Sequence, residues 1–201
     1  MKKLLYLIIS GALILTSCKG NDGKEKEETK QAESPAKSES PSGMAEAADQ
    51  LQSRAEELKK LSPVSTETLK ALLPEELDGL KRTSYNVANT MGFSVGEAEY
   101  KVNDDSEIKV MIYDCVGEAG SAFYSMNYFM RLNMQQEDDN SYTKSVDFQG
   151  GKALEHFEKN SNDYQLTWLA ADRFLVSVDG DNTGLDKVKS VARALDFSKA
   201  K

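Results

Sequence analysis

Between Lys81 and Val178 the chain is divided into short runs in which apolar and polar residues alternate, with turn-forming residues between the runs. A period of two puts every second side chain on one side of an extended backbone, so such runs pack as strands with one buried face. The clearest is Glu107 to Val116, where Ile108, Val110 and Ile112 alternate. Ser94 to Val102 precedes it, with Val95, Ala98, Tyr100 and Val102 as inner-face candidates. The turn Asn103-Asp104-Asp105-Ser106 makes the two a hairpin. Lys81 to Val87 is a further strand. Tyr142 to Phe148, Ala153 to Lys159, Tyr164 to Ala170 and Arg173 to Val178 then form an up-and-down series, with turns at Gly150-Gly151, Asn160-Ser161-Asn162-Asp163 and Ala171-Asp172.

Helical periodicity appears in four places. Met44, Ala48, Leu51, Ala55 and Leu58 recur at spacings of four and three, which predicts an amphipathic helix over 44–62 that stops near Ser62-Pro63. It either docks on its own domain or pairs with a second copy. Ser65 is placed to cap a short helix, Thr66 to Leu72, ended by Pro74; Pro74 to Leu80 reads as a turn into the sheet. Ser121 to Met134 is apolar nearly all round and is expected to pack on a sheet, and Gln135 to Ser141 is expected to be a polar loop. Leu185 to Leu195 places Leu185, Val188, Val191, Ala192 and Leu195 on one face. The expected fold class is α+β: an antiparallel sheet of about six or seven strands, mainly a meander, with helices on one face, in a single domain over 63–201. That length is enough to bury a core without disulfide or metal staples. The chain shows no internal repeat.

The first residues set an address. Met1-Lys2-Lys3 is followed by an uncharged apolar run, Leu4 to Leu15, which is too short to span a bilayer as a helix and reads as a secretory signal. The segment ends Leu15-Thr16-Ser17-Cys18, an aliphatic residue and two small ones before a cysteine. This resembles the lipobox of bacterial lipoproteins. The resemblance covers only this segment and implies that residues 1–17 are removed and that Cys18 carries the diacylglyceryl and palmitoyl-type anchor. The competing reading is an ordinary signal peptide with an incidental cysteine. Lys19, where an aspartate would favour inner-membrane retention in enterobacterial lipoproteins, points by analogy to the outer membrane. The charged tract Lys19 to Glu28 is similar to the surface-export tract of Bacteroidetes lipoproteins. The expected location is the cell envelope, on its periplasmic or surface face. Residues 18–43 contain no aliphatic or aromatic residue beyond alanine and cannot offset the entropy of ordering, so they read as a tether.

Charge narrows the partners. The chain carries 25 Lys and Arg against 33 Asp and Glu; loss of Lys2 and Lys3 with the signal leaves 23 against 33. A mature net charge of about −10 suits neither nucleic acid nor anionic headgroups. Two cysteines are present, and Cys18 is assigned to the lipid, which leaves Cys115 in an apolar strand as a small buried hydrophobe, or alternatively a reactive thiol.

Several residues are candidates for chemistry. Asp179-Gly180-Asp181-Asn182-Thr183-Gly184 resembles the opening of an EF-hand calcium loop, with Asp179, Asp181 and Thr183 as ligands. Ser190 stands where the bidentate glutamate belongs, so a strand-to-helix turn capped by Asn182 or Thr183 competes. Met126, Met130 and Met134 at i, i+4, i+8 could line a pliable groove or a soft-metal site, or simply fill the core. His156, the single histidine, shares a strand face with Leu154 and Glu158; with Glu155 or Glu158 it is the best general-base candidate, and otherwise a surface side chain. Trp168 shares a face with Tyr164 and Leu166, a core stripe or a sticky aromatic surface. The pairs Asp104/Asp105 and Asp138/Asp139 sit in turns or loops and read as solvated. No phosphate loop, nucleophile elbow or zinc motif is present, and no cofactor is expected. The function expected is that of a lipid-anchored binding or assembly module for a protein, peptide or glycan. An envelope hydrolase using His156 or Cys115, and a purely structural lipoprotein, are the alternatives.

Overall fold

A computed structural model describes residues 41–90 and 93–200, with side chains for 45–89 and 94–200. The lipobox-like segment, Cys18 and nearly all of the expected tether lie outside the described residues. Among the described residues, nine strands form one sheet in the order β1-β2-β3-β4-β9-β8-β7-β6-β5, every neighbouring pair antiparallel. They are β1 (Glu76–Leu77), β2 (Leu80–Thr90), β3 (Phe93–Lys101), β4 (Glu107–Asp114), β5 (Gln135–Glu137), β6 (Ser141–Phe148), β7 (Gly151–Glu158), β8 (Asp163–Ala170) and β9 (Phe174–Asp181). Four α-helices accompany them: α1 (Pro41–Lys60), α2 (Thr66–Leu72), α3 (Gly117–Met130) and α4 (Leu185–Ala194). Two meanders, β1 to β4 and β5 to β9, are therefore sewn together along a central seam, where Ile108 faces Gly180, Val110 faces Val178 and Ile112 faces Val176.

The α+β class stands, and the seven longer strands lie where the alternation puts them. The strand count is higher than expected because of β1 and β5, two and three residues long, at the two edges. Their side chains are too few and too polar to show a period. Short polar edge strands also leave little for a second chain to pair with. Several hairpins turn tightly through left-handed residues: Asp78-Gly79 (φ 51° and 77°), Gln149-Gly150 (48° and 80°) and Ala171-Asp172 (49° and 51°). Two successive positive φ angles match the twist of the strands that flank them.

The expectation of helices on one face is corrected. On one face, α2 and α4 cover Ala98, Tyr100, Ile108, Val110, Ile112, Leu166, Trp168, Val176 and Val178 with Leu69, Leu72, Leu73, Val188, Val191, Ala192 and Leu195. Two glycines let these helices approach: a Cβ on Gly180 would lie 2.6 Å from Val188, and one on Gly96 would lie 3.0 Å from Leu73. On the opposite face, α3 and α1 form a second cluster, in which Leu51, Leu58, Cys115, Val116, Tyr124 and Leu175 are buried. The ring of Tyr113 packs edge-on against Phe123 at 5.6 Å. The reason is local. Phe174-Leu175-Val176 are three successive apolar residues, so this end of β9 carries apolar side chains on both faces and needs cover on both.

The helix over 44–62 docks on its own domain. Its Leu51 and Leu58 enter the second cluster, and Arg54 Nε donates to the Asp172 carbonyl at 2.7 Å. Ser65 caps α2 as expected, accepting from Thr68 N at 3.1 Å. Helix α3 ends at Met130 rather than Met134: Arg131 is its C-cap, and Met134 is tied to β6, its carbonyl accepting from Ser145 N at 2.8 Å.

A buried ion pair pins one end of the seam. Asp114 is fully buried at the end of β4 and accepts from Arg173 Nε and Nη2 at 2.6 and 2.7 Å and from Val64 N at 2.8 Å. Asp114→Ala leaves the Arg173 guanidinium without its partner in a largely enclosed site. Breaking a buried pair from one side costs about 3–5 kcal/mol, and urea unfolding of the variant is expected to show a loss of that size.

Candidate functional site

The face that α1 and α3 cover at one end is open over the rest of the sheet. Register lines up a single row across it: Ser84, Glu99, Lys109, Asp179, Gln165, His156, Thr143 and Gln136, one residue from each strand from β2 through to β5. All are able to hydrogen-bond, and several do so with a neighbour in the row or beside it. Ser84 Oγ donates to Glu99 at 2.7 Å, Lys109 Nζ lies 3.1 Å from Glu97 and 3.6 Å from Glu99, and Gln165 Nε2 donates to Asp179. The Thr143 hydroxyl is 2.8 Å from His156 Nδ1, and His156 Nε2 is 3.1 Å from Glu158.

The middle of this row sinks into a shallow depression of about 290 Å³, lined by Glu107, Lys109, His156, Asp163, Gln165 and Asp179 with Tyr164, Gly180 and Asp181. Four carboxylates there stand against one lysine. Burial pushes the Asp179 carboxyl above its ordinary value, and donation from Gln165 and Ser177 only partly opposes this. Asp163 and Asp181 face each other across β8 and β9. Hydrogen bonding to Asp163 raises Asp181, whereas the backbone N–H of Asn182, at 2.9 Å, lowers Asp163. Carboxylates that crowd together divide their proton affinities in this way. The depression offers acceptors above all, which suits a ligand rich in N–H or O–H donors.

The candidate residues separate. Asp179 and Asp181 share the open face of β9, but the Thr183 hydroxyl turns away and donates to the Asp181 carbonyl at 2.9 Å. The cap of α4 is Gly184, so neither Asn182 nor Thr183 serves as a side-chain cap. Among the described residues no three His, Cys, Asp or Glu side chains converge as a metal would require. His156 and Glu158 do meet on the open face. Glu155 points through the opposite face, nearly fully buried, and accepts from Lys189 at 2.8 Å, Tyr142 at 2.9 Å and Lys144 at 3.0 Å. Burial would raise Glu155, but these three donors together outweigh it and hold the carboxyl below its ordinary value. Cys115 is fully buried, and desolvation pushes its thiol up to about 12, so no thiolate forms at neutral pH. Trp168 is core, and so is Leu166, whereas Tyr164 is half-buried and stacks on Phe157 at 4.1 Å. Met126 and Met130 are exposed on α3, and Met134 is off the helix. Asp104 pairs with Lys101 at 2.6 Å in its turn, and Asp138 accepts from Asn140 N and Ser141 N, each at 2.8 Å. Sequence reasoning misses Gln165 and Lys109. The available signal is the alternation of Ser177, Asp179 and Asp181 with Val176 and Val178, which makes the second face of β9 polar beyond Leu175.

No family model matches the chain, and no curated protein matches it. Among solved structures it is similar to a GTP binding regulator from Thermotoga maritima, at 16% identity over 67% of this chain and 90% of that one, with a TM-score of 0.32. A likeness at that level bears on neither fold nor function. Among the described residues no helix is long and apolar enough to cross a membrane.

Asp179 has a raised carboxyl in the fold against an ordinary value of 3.8. The native state therefore binds that proton more tightly than the unfolded chain, and the ionised group lowers stability once pH rises through its folded value. Asp179→Asn is expected to be more stable than the parent at pH 7, with the gain vanishing as pH falls below about 4, as read by thermal unfolding across that range. Glu155 carries the opposite sign. Its lowered carboxyl contributes stability above its ordinary value of 4.5, and that contribution is lost as pH falls through the folded value. Glu155→Gln should accordingly be destabilised at pH 7 and approach the parent in acid.

Proposed function

We propose that this is a lipid-anchored envelope protein whose open sheet face binds a donor-rich ligand, a basic peptide segment or a hydroxyl-rich glycan. The observation that carries the binding reading is the polar row itself. A sheet face that needs only to be soluble carries scattered charges. Here six adjacent strands, β3 to β6 through the seam, align hydrogen-bonding side chains in register, with a half-buried carboxylate, Asp179, at the centre. The anchor reading rests on the lipobox-like end of the leader and on the charged tether after Cys18.

The two parts are tested separately. Growth of the parent organism or an expressing host with labelled palmitate is expected to label the full chain and not Cys18→Ala, which should also leave the membrane fraction. For the face, the purified domain should recover a soluble envelope fragment, peptide or glycan that Gln165→Ala with Asp179→Ala fails to hold. Loss of about 1–3 kcal/mol of binding is expected for this pair, the worth of two or so direct hydrogen bonds to a charged or polar partner. Undiminished capture by the double variant would remove the face from the reading.

A further inference from the structure

Helix α3 leaves three large apolar side chains in solvent. Met126 and Phe129 are each 55% exposed and Met130 is 45% exposed. Their spacing of three and four places them on one stripe, away from Ser121 and Tyr124, which are buried. The other large exposed hydrophobics among the described residues differ in setting. Tyr85 lies under Lys70 and Arg82, and Leu61 sits alone just after α1.

The direction of α1 shows where the rest of the chain meets this stripe. Lys59 is within electrostatic reach of Glu118, and Arg54 of Tyr124, so α1 and α3 run antiparallel. Both helices rise about 1.5 Å per residue, which brings the first half of α1 level with Met126 to Met130. The segment preceding Pro41 therefore joins the domain at the end of α3 that bears the stripe. That segment is 22 residues from Lys19 to Ser40, a length over which an unstructured chain averages roughly 25 Å.

We infer that the Met126–Phe129–Met130 stripe seats in the surface of the bilayer to which Cys18 fastens the chain, an inference that rests on the lipid-anchor reading. Size separates a bilayer from a protein partner. Three half-exposed side chains offer on the order of 300 Å², well under the roughly 800 Å² per side of a stable protein interface. A tethered domain needs much less, because a reach of that length holds it near the surface at millimolar effective concentration, where a weak insertion is enough. Charge separates kinds of bilayer. The part of α1 level with the stripe carries Glu46 and Asp49 and no lysine or arginine, whereas Glu56 and Glu57 further along are paired with Lys59 and Arg54, so zwitterionic headgroups are favoured over anionic ones.

The test attaches the mature chain, residues 18–201, through the Cys18 thiol to a maleimide lipid in phosphatidylcholine vesicles. Cys115 stays unlabelled because it is fully buried. In Phe129→Trp, tryptophan emission is expected to shift to the blue and to fall about two-fold or more when the acyl chains are brominated, the behaviour of an interfacial side chain. Trp168, 2% exposed under the other face, supplies a baseline that does not change. Adding Met126→Asp and Met130→Asp should abolish the quenching, and replacing a third of the lipid with phosphatidylglycerol should weaken it. Emission of Phe129→Trp that ignores brominated lipid in the attached chain overturns the inference, as does a stripe that becomes shielded only when a second protein is added. Because attachment is chemical, either failure leaves the palmitate result untouched. A chain that is quenched here but carries no palmitate in cells would overturn the anchor reading instead.

Discussion

The bidentate contact between Asp114 and Arg173 holds the architecture together. Asp114 ends β4 and Arg173 immediately precedes β9, the two strands that join the meanders. The same carboxylate accepts from Val64 N, and the same guanidinium donates to the Ser62 carbonyl at 2.8 Å, so the connector between α1 and α2 is fixed at the same point. The backbone joins in, Cys115 N donating to the Arg173 carbonyl at 3.1 Å. Removing a carboxylate from water is costly, and here three donors on one side chain offset the cost. The contact spans 59 residues of sequence, so it forms only when both halves of the sheet are in register.

From that corner the two faces diverge. One is closed by α2 and α4, and a carboxylate buried there, Glu155, is satisfied by donors from β6 and α4, so that this charge locks α4 onto the sheet. The other is closed only where β9 becomes apolar on both sides. Beyond α1 and α3 it carries the polar row, and there the strands project serine, threonine, glutamine, histidine and carboxylates where a buried face would need valine or isoleucine. Closing one face and leaving the other polar is the ordinary economy of an antiparallel sheet. The depression around Asp179 is where that polar face becomes concave.

Much of the fold is legible in the sequence because alternation is a strong signal in strands with one wet face. Ile108-Val110-Ile112 and Val176-Val178 identify both sides of the seam by their period alone. Legibility fails where the signal is absent or mixed. Glu76–Leu77 and Gln135–Glu137 are too short for a period, and only their partners' register makes them strands. The Asp78-Gly79 dipeptide, a good two-residue hairpin turn, is the available sign of β1. Met134 continues the spacing of Met126 and Met130, yet the helix has already stopped at Arg131, because spacing alone carries no information about helix ends. The placement of α3 against α1 depends on Leu175, whose flanking Phe174 and Val176 disguise it as part of a single buried run. Of the site, His156 and Asp179 are visible as residues. Their alignment with Gln165 and Lys109 is not, because cross-strand register is a long-range property.

The two enclosed carboxylates move in opposite directions for a physical reason. Glu155 is the more deeply buried, but its donors make the charged form the favoured one, so ionisation contributes to stability and the residue needs no further explanation. Asp179 is only half-buried and has donors too, yet its charged form remains disfavoured, since Gln165 and Ser177 are neutral and the cation beside it, Lys109, is drawn to Glu97 and Glu99. A sheet optimised for stability would place asparagine or threonine at that position. Asp179 instead stands where its charge lowers stability, facing a depression rather than open solvent.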